Sequence, residues 1–311
     1  MLSSHDGHLV AAYNNYALAQ FYLSNYEEAY TAQEKAIEIG KEIYPEYDVD
    51  LMNLYTLYSR ILYKKEEYQK AYTIVSNLIQ GMEKQSISTP YLGIHYVLLA
   101  DIQIRLNQFG KAIISSKKAW ELVKHLPEDH PYYRECWDVF LVALFKRAEY
   151  AFENGNYKEA LIDFELFNSL TTNDVAIYMA GLCYAYFDEH DKAIQSFNKI
   201  LELRPDFLNA NYYNDVGMSL VKKGEFDKAT DAFKKYQNLF PKKGESYRNW
   251  ALLYALQNQK EKAIENLQKA IDLGYDDMHW LQNEESLEAI RPEPAFQKLL
   301  KQLDVQIQNR K

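Results

Sequence analysis

The 311-residue chain is poor in helix breakers, with 11 Gly and 8 Pro. That scarcity argues against a fold of short strands and tight turns and favours long helices. Only two cysteines occur, Cys136 and Cys183, and neither belongs to a CxxC pair. A disulfide framework therefore has no support, and the two read as small buried apolar residues in a reducing compartment.

Apolar runs of membrane-spanning length are absent. The start, MLSSHDGHLVAAYNNY, lacks a basic region followed by an apolar one, so no secretory signal is expected and the default location is cytoplasmic. Positive charge is not concentrated anywhere. Residues 1–150 carry 15 Lys+Arg against 19 Asp+Glu, a balance of −4, and the remainder 20 against 25, or −5, matching the total of −9. Without a basic stripe, nucleic acid is not the expected partner.

Catalytic motifs are also missing. There is no HExxH, no GxSxG and no phosphate-cradling GxxxxGK[ST], since Lys111 in NQFGKAI lacks the upstream glycine. His125 and His130, in HLPEDHP, read as turn and capping residues rather than metal ligands. The paired acids Glu27/Glu28 and Glu66/Glu67 fall at starts of helices, where carboxylates suit the dipole. No enzyme, metal or cofactor is expected.

What the chain has in quantity is tyrosine, 27 residues, and a phrase that it rewrites. GNYKEALIDF, from Gly155, returns as HDKAIQSF from His190 and as GEFDKATDAF from Gly224. Aligned on one alanine, the phrases fall at Ala29, Ala71, Ala112, Ala160, Ala193, Ala229 and Ala263, at intervals of 42, 41, 48, 33, 36 and 34 residues. Periods of this size mark stacked supersecondary units.

Each unit holds two helical patterns. In the sixth, Tyr213, Val216, Gly217, Leu220 and Val221 form one apolar face, and Gly224 interrupts the helix where a left-handed φ is needed. Phe226, Ala229, Phe233 and Tyr236 form the next, which stops at Pro241. The fifth repeats this with Ile177, Ala180, Gly181 and Tyr184, then Ala193, Phe197 and Ile200, ending at Pro205. Small residues at Ala17, Ser59, Ala100, Ala148, Gly181, Gly217 and Ala251 mark a close crossing within each unit. Aromatics at Tyr26, Tyr68, Phe109, Tyr157 and Phe226 open most second helices.

The stretch YYNDVGMSLVKKGEFDKATDAFKKYQNLFP, with Gly217, Ala229, Phe233 and Pro241 in place, resembles the tetratricopeptide repeat. The longer early intervals are similar to the variant of kinesin light chains and bacterial peptide-sensing regulators, in which a loop such as DHP lets Asp129 or His130 cap the next helix ahead of Pro131. The resemblance implies an all-α, right-handed superhelical solenoid of about seven helix pairs over residues 1–274. Its units lie near 10–47, 48–88, 89–128, 129–172, 173–205, 206–241 and 242–274. Residues 275–311 resemble a terminal cap, with Trp280 and Phe296 as the plug and Phe296, Leu299, Leu300 and Leu303 on one helix face.

In such a superhelix the first helices line a concave groove. The inner positions read Asn14, Asn15 and Asn53 early in the chain, and Tyr178, Asn211, Asn214, Met218, Arg248 and Asn249 later. Asn amides both donate and accept, so they suit the backbone of an extended peptide, while Tyr and Met offer adaptable apolar contacts. The cationic carboxylate clamp of chaperone-binding members is not matched: Tyr178/Leu182, Asp215 and Glu245/Asn249 stand at those positions. The expected function is a non-catalytic interaction scaffold holding a protein or peptide in the groove, with no nucleic acid and no membrane insertion. A sensor of a small signalling peptide acting through a partner protein, and a self-associating homo-oligomer, stay open as alternatives.

Overall fold

A computed structural model describes residues 4–46, 48–85, 90–204 and 211–309. The described residues fall into two compact units, divided between Asp163 and Phe164. In the first, α1 (Ser4–Tyr22) pairs with α2 (Tyr26–Ile43), α3 (Val49–Lys64) with α4 (Tyr68–Lys84), and α5 (Pro90–Arg105) with α6 (Phe109–Val123). Next come α7 (Pro131–Glu153) and α8 (Tyr157–Leu170), within which the division lies.

The second unit pairs α9 (Asp174–Tyr186) with α10 (His190–Leu203), α11 (Tyr212–Lys222) with α12 (Phe226–Leu239), and α13 (Gly244–Leu256) with α14 (Lys260–Asp272). It ends with α15 (Met278–Asn283), a 3-10 turn at Glu285–Leu287 and α16 (Pro294–Gln308). The fold class is the all-α repeat solenoid, as the spacing and the resemblance implied.

The turn inside each pair is built once and repeated seven times. Ser24, Glu66, Asn107, Gly155, Asp188, Gly224 and Asn258 all have φ between 56° and 77°. Each lies five residues before its aligned alanine. The N–H one residue further on reaches back to the carbonyl five positions earlier, as from Asn25 to Gln20 and from Glu225 to Leu220, both 2.9 Å. This reversed-hand residue and its 6→1 bond satisfy carbonyls that the helix end leaves without partners. Glu66 therefore belongs to the turn and Glu67 is the N-cap, so only the second of that acidic pair touches the helix start.

Two small positions fix the crossing. Ala17, Ser59, Ala100, Ala148 and Ala251 are fully buried, as are all seven aligned alanines. A Cβ on Gly217 would stand 2.2 Å from the Phe233 ring, and one on Gly181 2.7 Å from Phe197, so these two pairs close directly onto an aromatic face. From small residue to aligned alanine the spacing is 12 in every unit. The varying period therefore resides outside the crossing: second helices shorten from 18 residues in α2 to 13 in α14, and the connections between pairs change.

Ends of the pairs follow local chemistry. His130, rather than Asp129, caps α7 by accepting from the Tyr132 N–H at 3.2 Å, with Pro131 as the first helical residue. Pro241 follows the end of α12 at Leu239. Pro205, expected to end the fifth pair, lies outside the described residues. At the other end α16 buries Phe296, Leu299 and Leu303 against Ala255, Ala263, Leu267 and Ile271. Each large side chain so covered contributes about 1.5–3 kcal/mol. Trp280 is partly buried where this cluster meets the one built on Phe197 and Phe233.

Candidate functional site

In the second unit the first helices bring Tyr178 (α9), Asn214, Asp215 and Met218 (α11), and Arg248 and Asn249 (α13) into one polar network. The Tyr178 hydroxyl donates to the Asp215 carboxylate, which also accepts from Asn214 Nδ2 at 3.0 Å. Asn214 Oδ1 in turn accepts from Asn249 Nδ2 at 2.9 Å and from Arg248 Nη2 at 3.3 Å. Arg248 Nη1 contacts the Met218 sulfur at 3.6 Å. Burial raises Asp215 above the usual carboxylate range, an effect held back by the Tyr178 and Asn214 hydrogen bonds and by the Arg248 charge.

The Arg248 guanidinium lies 5.0 Å from the Trp280 ring and 5.9 Å from that of Tyr275, so the capping segment forms one side of its enclosure. Cation–π contact steadies such a group but leaves its charge in place. Among the described residues no carboxylate comes within 4.0 Å of it, and Nε is buried without a hydrogen-bond partner. A half-buried cation is thus held by neutral groups, with no carboxylate in contact and Asp215 acting on it only from beyond Asn214.

The structure revises the sequence expectation for two of these residues. Asn249 is wholly buried and Tyr178 nearly so, so neither offers its side chain to an open surface. The amide of Asn214 is engaged by Asp215, Arg248 and Asn249. Asn214 thus bonds Arg248 directly, whereas Asn249 bonds only Asn214. Asn211 is exposed at the N-cap of α11, and Met218 is half-buried.

In the first unit the asparagines do not form one cluster. Asn14 accepts from the buried Gln33 at 3.1 Å, Asn53 accepts from the Tyr91 hydroxyl at 2.6 Å, and Asn15 is exposed. The tyrosine–carboxylate and arginine–aromatic contacts of the second unit span about thirty to forty residues, and no single-helix pattern shows them. Their sequence signal is weak: a charged or hydroxyl residue on the polar side of consecutive first helices.

Other candidate chemistry is bland. Cys136 and Cys183 are buried, and burial pushes both thiols up to about 12, which leaves them inert as nucleophiles. Among the described residues no group of three His, Cys, Asp or Glu is arranged to hold a metal ion, and no helix is long and apolar enough to cross a membrane.

Comparison with known proteins adds the lineage. The tetratricopeptide repeat family matches residues 10–40, 175–207 and 245–273. These stretches fall on the pairs α1/α2, α9/α10 and α13/α14. A TPR repeat-containing protein of Methanocaldococcus jannaschii is 25% identical over 278 residues, covering 82% of this chain and 43% of its own. The Photosystem I assembly protein Ycf3 of Acaryochloris marina is 30% identical over 115 residues, 32% of this chain and 66% of that one. This chain therefore spans less than half of the first relative and just under two thirds of the second. Among solved structures, the C-terminal part of a TPR repeat-containing protein from Cytophaga hutchinsonii aligns with a TM-score of 0.55 at 18% identity. That alignment covers 89% of this chain and 98% of the other, and it speaks for the fold alone. With seven intra-pair turns of one conformation, two small crossing positions per pair and the family matches on three of the pairs, the chain is built from tetratricopeptide repeats.

Proposed function

We propose that this protein is a non-catalytic interaction scaffold whose second unit holds a peptide segment of a partner protein against α11 and α13, with an acidic group of that segment on Arg248. The observation that carries the reading is a guanidinium without a contacting carboxylate, held by Asn214, Met218, Trp280 and Tyr275. Preorganising a cation beforehand removes the ordering cost from the binding step. A carboxylate arriving there would form a charge-assisted hydrogen bond in a partly desolvated setting, where such bonds are about twice as strong as neutral ones. Met218 beside it supplies an adaptable apolar contact. Asp215 limits the choice, because a second acidic group placed next to it would be repelled.

A randomised peptide-display selection on the whole chain tests this. The expected outcome is enrichment of peptides with one acidic residue at a fixed distance from an apolar one, and a loss of at least about tenfold in their affinity with Arg248→Gln, the equivalent of about 1.4 kcal/mol. Arg248→Gln is preferred to substitution of Asn249, whose burial would mix binding with folding. Undiminished binding of the same peptides by Arg248→Gln would remove the basis for the proposal.

A further inference from the structure

The first unit contains a separate cavity of about 240 Å³ on a face made entirely by first helices of its pairs. α3 contributes Arg60 and Lys64, α5 contributes Asp101, and α7 contributes Glu135. Phe21 of α1, with Ile94 and Leu98 of α5, supplies apolar lining. His95 also lines it. It is 1% exposed and both ring nitrogens are engaged, one with Thr56 Oγ1 and one with the Tyr91 carbonyl, each at 2.9 Å.

The charges around this cavity are separated by sign. Two cations stand on the α3 side and two carboxylates on the α5 and α7 side. Among the described residues none of the four comes within 4.0 Å of an opposite charge. Elsewhere in the same unit, neighbouring opposite charges do close: Lys65 with Glu27 at 2.6 Å and Arg147 with Asp163 at 2.5 Å. The nearest other cation on α5, Arg105, is turned to the Tyr63 hydroxyl at 3.3 Å. The cavity is therefore a gap between two charged walls that do not meet across it.

Its size restricts what can bridge them. At about 30 Å³ per water it displaces about eight waters, and it lies below the roughly 300–1,000 Å³ of sites for drug-sized ligands. A purely cationic ligand would face Arg60 and Lys64, and a purely anionic one Asp101 and Glu135. A dipolar ligand satisfies both walls at once.

We propose that this cavity binds a small zwitterion of free amino-acid size, its ammonium group held by Asp101 and Glu135, its carboxylate by Arg60 and Lys64, and its side chain against the apolar lining. Burial and the Glu135 charge push the Asp101 carboxyl up to about 6, partly offset by Arg105 and Lys64. An arriving ammonium group supplies a counter-charge in contact, which Arg105 and Lys64 provide only from a distance. The site is independent of the peptide reading for the second unit.

Titration of the whole chain at neutral pH with the standard free L-amino acids tests the proposal, with the amide and N-acetyl derivatives of any binder as controls. An apolar amino acid such as L-leucine is expected to bind. Its amide, which lacks the carboxylate, and its N-acetyl form, which lacks the ammonium, should each bind at least about tenfold more weakly. Asp101→Asn and Arg60→Gln should each weaken the free amino acid by a similar factor. Circular dichroism confirms that each variant is folded. Three results would overturn the assignment: no free amino acid binding at up to about 10 mM, equal binding of a blocked form, or full affinity in a folded Asp101→Asn, Glu135→Gln double variant.

Discussion

The two units repeat one crossing and dispose of their polar residues in opposite ways. Within every pair the reversed-hand turn and the 12-residue spacing are the same, from Ala17 in the first to Ala251 in the last. In the second unit, acid, hydroxyl, amide and guanidinium on the first helices are wired into one network. In the first, the charges on α3, α5 and α7 line a cavity without pairing. A repeat thus fixes where helices cross and leaves the remaining positions free to diverge. The second unit has used that freedom to position one cation, and the first to keep two charged walls apart.

The largest effects should come from breaking what each unit cannot replace. In the first, Arg147 makes a two-pronged ion pair with Asp163, at 2.6 and 2.5 Å, and the Asp163 side chain is almost fully buried. Asp163→Ala removes both charge-assisted bonds, and because the Arg147 side chain is 38% exposed and can turn to water, the cost should be about 1.5–3 kcal/mol of stability. In the second, Gly217→Leu forces atoms into the space of the Phe233 ring and should cost at least about 3 kcal/mol, the upper part of the range for overpacking. Hydrogen exchange read along the chain checks both. Protection should fall mainly among residues up to 163 for the first substitution and beyond 163 for the second. Equal loss in both units for either variant would show that they fold as one cooperative body.

These residues differ in how visible they were in the sequence. Gly217 was legible, because a small residue recurring on an apolar helical face has a packing reason that needs no partner to be known. The crossing positions and the Gly224 turn are local in the same sense, whereas Glu66, read at a helix start, occupies the turn before it. Asp163 carried no such signal: its partner lies 16 residues away, and on sequence it is one acid among many in second helices. The site was legible only as a set of inner-face positions. Asn214 and Arg248 belong to that set, but that they bond one another depends on a contact 34 residues apart. Arg60, Lys64, Asp101 and Glu135 were missed because their significance lies in not pairing, which no spacing reveals.

A smaller effect, of opposite sign, separates a binding cavity from ordinary surface. The Asp101 carboxyl stands at about 6 when folded, against an ordinary 3.8, chiefly through burial. Between those values the folded state holds more protons than the unfolded one, so this group's contribution to stability falls as pH rises and is fully unfavourable above about 6. Asp101→Asn removes the charge at nearly constant shape. It should stabilise the chain by about 1–3 kcal/mol at neutral pH and by close to nothing near pH 4. Denaturant melts at the two pH values provide the check. A variant that is no more stable at neutral pH would mean that the carboxylate is well solvated, and the cavity would then be ordinary surface.

The smallest effect tests the element that the units share. Five of the seven turns place a residue other than glycine in the left-handed region: Ser24, Glu66, Asn107, Asp188 and Asn258. Asn and Asp tolerate that region because their short polar side chains bond locally, whereas Glu has no such compensation and holds φ at 62° against the steric cost of its Cβ. Glu66→Gly should therefore stabilise the first unit by about 0.5–1 kcal/mol after the added freedom of the unfolded chain is counted. Asn258→Gly in the second unit should change stability by no more than a few tenths of a kcal/mol. Paired urea melts resolve the difference, and hydrogen exchange of the N–H of Glu67, bonded to the Leu62 carbonyl at 2.9 Å, reports it at the turn itself. If neither substitution gave a gain, residue type would not matter at this position. The repetition of the turn would then rest on the 6→1 hydrogen bond and the buried alanine five residues on, and the five non-glycine residues would stand there at no cost to the fold.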